Sequence, residues 1–335
     1  MKRIIFLVFT AVLICTFFCG CAINPENTVF SHEYIVSALG FDFNDGLFEV
    51  YMETVVVNSE DYNAERKTEL LKGSGETLES AMNSAENTCV IPLELSHCAV
   101  AAIAKNVPAE NFSEICTLLE NEPQIPLGLL LVSCDFPETL LSGEVTTSVA
   151  KGYEISDMTA KRSLKNGINF KNRFYEISEK RRNPVGVFSL PYFETDGETF
   201  MMKGINVYKN DAFSMHVPEN LLPFYSVASD TQSKGEFIIN QNQYTVEKSY
   251  TVYDISNSPH PEIRLVCNLK INGGKESQKL FKKGIEELFL LSQKEETDIF
   301  GLGNILSRKE SEYFNKIRDN YDSVYKNFEL AVTVK

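Results

Sequence analysis

With 335 residues, 43% of them hydrophobic and 23% charged, the chain has an ordinary globular composition and length enough for two or three domains, which excludes a disordered stalk. Its net charge of −14 argues against nucleic acid as a partner, because phosphate binding needs a basic surface. Large core side chains come from 23 Phe and 14 Tyr, with no Trp.

The chain opens with Lys2 and Arg3, an uncharged apolar run from Ile4 to Phe18, and then Phe18-Cys19-Gly20-Cys21. This order reads as a bacterial secretory signal over residues 1–20 that ends at a lipoprotein cleavage site. Cys21 is then the lipid attachment residue, carrying a diacylglycerol thioether and a further acyl chain on the freed amine, and two or three chains anchor stably where one does not. A plain transmembrane helix would need roughly 20 apolar residues, and this run is shorter. Loss of Lys2 and Arg3 with the signal takes the net charge from −14 to −16, so an acidic body would be repelled by anionic lipid and attachment rests on the lipid itself. Residues 21–33 are polar, contain Pro25, and read as a tether.

Two strands follow, Tyr34–Phe43 and Phe48–Val57, separated by Asn44-Asp45-Gly46, a strong hairpin signal. After a polar loop over Asn58–Lys67, Gly73 and Gly75 predict a sharp turn into a helix whose face is Leu78, Ala81, Met82 and Ala85, with Thr77 as its cap. Leu95–Ile103 reads as a buried strand. Pro108 opens a helix with Phe112, Ile115, Leu118 and Leu119 on one face, and Leu127–Cys134 is a strand buried on both sides. A helical region is predicted from Asp157 to Ser178. Pro184, Pro191 and Asp196-Gly197 mark a boundary, placing one α/β domain at 34–195 and a sheet-plus-helix region at 196–335. In the latter, Met201–Tyr208, Glu236–Ile239, Gln243–Tyr253 and Glu262–Ile271 alternate as strands. Phe281, Ile285, Leu288, Phe289 and Ser292 share the face of a long helix over Lys275–Gln293. The expected fold class is α+β or mixed α/β, multi-domain, each domain a mixed or antiparallel sheet packed with helices.

Little chemistry is evident. Of eight cysteines, Cys15 and Cys19 leave with the signal and Cys21 takes lipid. Cys89, Cys98, Cys116, Cys134 and Cys267 are odd in number and lack a CxxC, which fits neither a disulfide framework nor zinc; they read as buried apolar residues, with Cys89 and Cys98 able to pair only if neighbouring strands bring them together. The four histidines, His32, His97, His216 and His260, have no metal-ligand spacing. His97 and Cys98 are adjacent on a predicted strand and point to opposite faces, so they do not form a nucleophile and base. No GxSxG elbow, P-loop or SxxK set is present, and neither a catalytic residue, a cofactor nor a metal site is expected.

Several stretches share an order with a known family. Lys72-Gly73-Ser74-Gly75-Glu76-Thr77-Leu78 with Leu93-Glu94-Leu95-Ser96-His97, then Lys203-Gly204-Ile205-Asn206-Val207-Tyr208-Lys209-Asn210-Asp211, then Asp298-Ile299-Phe300-Gly301-Leu302-Gly303, resemble the signatures of the C-subunit lipoproteins of spore germination receptors. The sequence differs at Ala22, Phe314 and Tyr321, where that family commonly carries Trp around the lipidated Cys and in the closing helical segment. The resemblance implies three small α/β domains and a non-enzymatic, peripheral role beside two integral membrane subunits in the spore inner membrane. It also implies that Gly73, Gly75, His97, Gly204, Asp298, Phe300, Gly301 and Gly303 are structural motif residues. A lipid-anchored solute-binding protein, with ligand held between two α/β lobes, is the competing expectation.

Overall fold

The computed structural model describes residues 34–56, 68–143, 145, 148–165, 170, 172–196, 199–229, 235–239, 242–255 and 262–334. The signal, Cys21, the tether, His32, His260 and the loop at Asn58–Lys67 lie outside the described residues.

The first elements are β1 (Tyr34–Asn44), β2 (Leu47–Val56), β3 (Thr68–Gly75), α1 (Leu78–Glu86), the two-residue β4 (Leu93–Glu94), β5 (Val100–Ala104), α2 (Ala109–Asn121), β6 (Leu130–Cys134), α3 (Pro137–Ser142), α4 (Lys151–Lys165) and α5 (Phe174–Arg181). Next come β7 (Val187–Thr195), β8 (Phe200–Lys209), β9 (Ala212–Pro218), α6 (Leu222–Ala228), β10 (Gly235–Ile239), β11 (Asn242–Ile255) and β12 (Glu262–Ile271). The set closes with α7 (Gly274–Lys294), α8 (Leu302–Lys309), α9 (Ser311–Ile317), α10 (Tyr321–Tyr325) and β13 (Glu329–Val334).

Nine strands form one mixed sheet in the order β3-β2-β1-β5-β6-β7-β8-β9, with β4 paired to the start of β1. Asp45 and Gly46 both take positive φ, 51° and 81°, as a two-residue hairpin requires, and they close β1 onto β2 with Asn44 opposite Leu47. β5 and β6 run parallel to β1, and β7 continues parallel to β6. β10, β11, β12 and β13 make a second, four-stranded sheet, in which β13 lies parallel to β12 with α7 as part of the connection. Sheets packed with helices are therefore the observed class, as expected. Two sheets are present among the described residues where the resemblance implied three domains, because β7, β8 and β9 continue the first sheet instead of forming a middle unit. β7 and β8 pair antiparallel with Thr195 opposite Phe200, so the large sheet runs on past residue 196.

The large sheet separates two hydrophobic cores. α1, α2 and α5 cover one face through Ala81, Ala85, Phe112, Ile115, Phe174 and Ile177. The other face packs on α3, α4, α6 and the C-terminal elements through Leu140, Ile155, Phe224, Phe281, Ile285 and Leu288. The predicted face of α7 is the buried one, and Phe281 meets Phe224, Phe237 and Tyr244 edge-on at centroid distances of 5.4, 6.1 and 6.3 Å.

Three local readings need correction. The helix predicted over Asp157–Ser178 is two helices, since Arg173 is extended (φ −65°, ψ 142°) and its guanidinium donates to the Gly128 carbonyl. The strand predicted from Leu95 begins only at Val100, because the Cys98 N–H closes a turn on the Leu95 carbonyl. Gly73 and Gly75 are residues of β3 and not a sharp turn. A Cβ on Gly73 would lie 2.8 Å from Ala85 Cα and closer still to Ala81 O and Ala85 N, so the missing side chain lets α1 sit directly on the strand. Thr77 caps α1 as predicted, its hydroxyl accepting from Ser80 N–H at 3.1 Å.

Candidate functional site

β8 carries the densest polar chemistry in the interior. Bulges beside Gly204 and beside Tyr208 set its alternation, so that Ile205 and Val207 face one core while Asn206 and Tyr208 meet side chains of β6 and β9. Asn206 is 1% exposed and sits between the buried Ile205 and Val207. Its Nδ2 donates to Ser133 Oγ at 3.0 Å, and its Oδ1 lies 2.8 Å from His216 Nδ1. Ser133 Oγ also pairs with the Tyr208 hydroxyl at 2.8 Å. Gly204 makes room for this arrangement. It takes φ +149°, a backbone state that side chains avoid, and a Cβ there would sit 2.9 Å from His216 Cε1.

The network continues to the surface. The His216 ring meets Tyr192 edge-on at 5.1 Å, the Tyr192 hydroxyl donates to Asp135 Oδ2 at 2.8 Å, and Asp135 pairs with Lys105 at 2.6 Å. Lys105 and Asp135 follow directly after β5 and β6, and this pairing, with the Tyr192 bond, holds the Asp135 carboxyl below its ordinary value despite burial. Ser133 and His216 do not touch, since Asn206 stands between them, and Ser133 is fully buried. That geometry offers no activated hydroxyl.

Burial lowers the His216 pKa below the ordinary 6.5; Lys105 acts in the same direction and Glu194 and Asp135 oppose. The native state thus binds fewer protons here than the unfolded chain. Its contribution is present above pH 6.5 and lost as the pH falls through the folded value. In urea unfolding between about pH 5 and 7, wild-type stability should rise with pH more steeply than that of His216→Gln, by a slope of under about one proton. Identical slopes would show that His216 titrates as in the unfolded chain.

The far end of β8 fastens the sheet to the C-terminal helices. Lys209 donates to the Glu296 carbonyl at 2.9 Å and pairs with Asp322, and Ser214 of β9 bonds Thr297. Just beyond, Arg181 of α5 grips Asp211 in a two-pronged pair at 2.6 and 2.6 Å. The Asp298–Gly303 stretch lies next to these ties. Asp298 is 2% exposed and its Oδ2 accepts from Gly303 N–H at 2.7 Å and from the Tyr321 hydroxyl at 2.8 Å. Burial pushes its carboxyl above the ordinary 3.8, while the backbone N–H groups opening α8 favour the charged form. Gly301 turns the chain with φ +69°, Gly303 lets Tyr321 approach, and Phe300 stacks on Phe289 at 6.0 Å.

Two of the three sequence motifs therefore converge on one joint: Gly204 through β8, and Asp298, Phe300, Gly301 and Gly303 across from it. Gly73 and Gly75 lie elsewhere, under α1. His97 is exposed in the turn before β5, and its carbonyl accepts from the Tyr153 hydroxyl at 3.4 Å. It is not on a strand with Cys98, which is 3% exposed. Cys89, Cys98, Cys116 and Cys134 are unpaired thiols, and burial pushes those of Cys98 and Cys116 up to about 12.

Sequence reasoning missed a second buried cluster. Glu53 of β2, 2% exposed, accepts from Lys151 N–H at 2.5 Å, Gly152 N–H at 2.7 Å and Ser37 Oγ at 2.5 Å. Lys151 Nζ pairs with Glu154 at 3.3 Å and lies 4.7 Å over the Phe200 ring. No signal short of a three-dimensional neighbour list would have joined residues so far apart in sequence. Among the described residues, no group of three His, Cys, Asp or Glu side chains could hold a metal ion, and no helix is long and apolar enough to cross a membrane.

A nine-stranded mixed sheet that shares a hydrophobic core with a smaller sheet and a run of short helices defines a two-sheet α/β protein. Its fold is similar to that in the crystal structure of the GerBC protein, with a TM-score of 0.51 and 11% identity over 88% of this chain and 95% of that one. No curated protein is matched by the sequence. The chain belongs to the spore germination protein family: residues 30–195 match the spore germination protein N-terminal domain, and residues 195–335 match the spore germination B3/GerAC-like C-terminal domain.

Proposed function

We propose that this chain is the lipid-anchored, non-enzymatic subunit of a nutrient germinant receptor, working beside two integral membrane subunits on the outer face of the spore inner membrane. The observation that carries the reading is the pair of germination-family domains that together span residues 30–335. The likeness to GerBC supports the fold that such a subunit needs. Support for lipid anchoring comes from the charged start, apolar run and Gly20-Cys21 of the N-terminus. Support for a non-enzymatic role comes from the network on β8, where the buried Ser133 hydroxyl is engaged by both Asn206 and Tyr208. The competing solute-binding reading calls for two similar lobes, and a nine-stranded and a four-stranded sheet are a poor match to that.

Fractionation of spore membranes tests both parts. The wild-type protein should co-purify with two multi-span proteins, and Cys21→Ala should lose nearly all of the membrane-bound pool or accumulate as uncleaved precursor. Absence from the fractions that hold the multi-span proteins would refute the receptor reading. Unchanged membrane retention and processing of Cys21→Ala would refute the lipid.

A further inference from the structure

Asn272 and Gly273 form the corner between β12 and α7, and each is held there for a separate reason. Asn272 brackets Thr245 of β11: its N–H donates to the Thr245 carbonyl at 3.3 Å, and its Oδ1 accepts from the Thr245 N–H at 2.8 Å. Gly273 takes φ +93°, and a Cβ there would lie 2.1 Å from Ser277 Oγ. The fold therefore sets a glycine directly after an asparagine.

That pairing is reactive. A residue with no side chain leaves its backbone nitrogen unshielded, and this one precedes the hydrogen-bond ladder of α7, where an N–H has no intrahelical acceptor. Both residues are open to solvent. The Thr245 N–H draws electron density from the Asn272 side-chain carbonyl and stabilises the negative charge that develops on Oδ1 when its carbon is attacked. The other Asn-Gly pair in the chain, Asn166-Gly167, lies outside the described residues.

We propose that Asn272 is a site of spontaneous deamidation that unfastens this corner. The Gly273 nitrogen bonds to Asn272 Cγ, the Cγ–Nδ2 bond breaks, and the proton from the Gly273 nitrogen leaves on ammonia, giving a cyclic imide. One water then opens the ring at either carbonyl, to aspartate or to isoaspartate, whose main chain runs through Cβ and Cγ and is one carbon longer. With Gly273 already against Ser277, the longer chain moves the bracketing groups away from Thr245, and the start of α7 loses its tie to β11. α7 brings Phe281 against Phe237 and Tyr244, so the smaller sheet loosens with it. The inference does not depend on the receptor assignment.

Ageing the purified full-length chain in mildly alkaline buffer, followed by peptide mass mapping and urea unfolding, tests it. The peptide spanning Asn272 and Gly273 should gain the mass of an amide-to-acid conversion, and the unfolding midpoint of the wild type should shift to lower urea as it does so. Asn272→Gln would need a larger, more slowly formed ring, so that chain should keep its amide at this position and, after the same ageing, its own starting midpoint. No conversion at Asn272 under conditions that convert it in the urea-unfolded chain, or a midpoint shift that is absent from wild type or equal in Asn272→Gln, would each overturn the proposal.

Discussion

Gly73→Ala should unfold at markedly lower urea concentration than the wild type, with a loss of about 3 kcal/mol. The added methyl would be driven into Ala81 O, Ala85 N and Ala85 Cα, all backbone atoms of α1. A side chain in the way can rotate, whereas a helix backbone can retreat only by shifting as a whole. Such a shift would pull Ala81 and Ala85, both 0% exposed, out of the core they share with Phe41 and Val50. Gly46 supplies the comparison. A Cβ there meets nothing within 4 Å, and Asn tolerates its φ of +81°, so Gly46→Asn should cost under about 1 kcal/mol. Equal stability of Gly73→Ala and wild type would mean that α1 is not seated against β3 as described.

Asp298→Ala is expected to be the second severe change, at about 3 kcal/mol near neutral pH. It strands the Gly303 N–H and the Tyr321 hydroxyl, and it opens a gap beneath the start of α8. Asp298→Asn keeps an acceptor and should lose less. The two oxygens of Asp298 also give a pH signature. Burial raises its folded pKa above 3.8, so the native state binds the proton more tightly than the unfolded chain does. The stabilising contribution of this group is complete below pH 3.8 and is lost as the pH rises through the folded value. Wild type should therefore gain on Asp298→Asn as the pH falls, which denaturant unfolding of both chains at several pH values measures. A gap that widens with rising pH would contradict a raised pKa.

What was legible in the sequence follows from how local each feature is. Asp45-Gly46 announces its hairpin because both residues tolerate positive φ, and α7 announces its buried face because 21 residues give several turns of periodicity. α6 has seven residues and was not foreseen; Leu222-Pro223 opens it and too few turns follow to show a period. Leu95–Ala99 is apolar enough for a strand, but the turn at Cys98 is decided by a hydrogen bond that composition does not encode. Glycine was the least legible residue. Gly73 reads as a sharp turn from its neighbours and is instead a place where helix and strand nearly touch.

The joint was half visible. Gly204 and Asp298–Gly303 were picked out by resemblance, but their partners were not, because Ser133 and Tyr208 are 75 positions apart and Asp298 and Tyr321 are 23 apart. One local sign was available. Asn206 is a polar residue in the middle of Ile205-Asn206-Val207, and a buried amide must find both a donor and an acceptor.

The large sheet works as a bulkhead between two oily compartments that have only its backbone in common. Substitutions on opposite sides, such as Ile115→Val under α2 and Ile285→Val under α7, should sum almost independently, while neighbours within one compartment interfere. One flank of such a molecule can be recut by drift to suit a changing partner while the other goes on holding the shape.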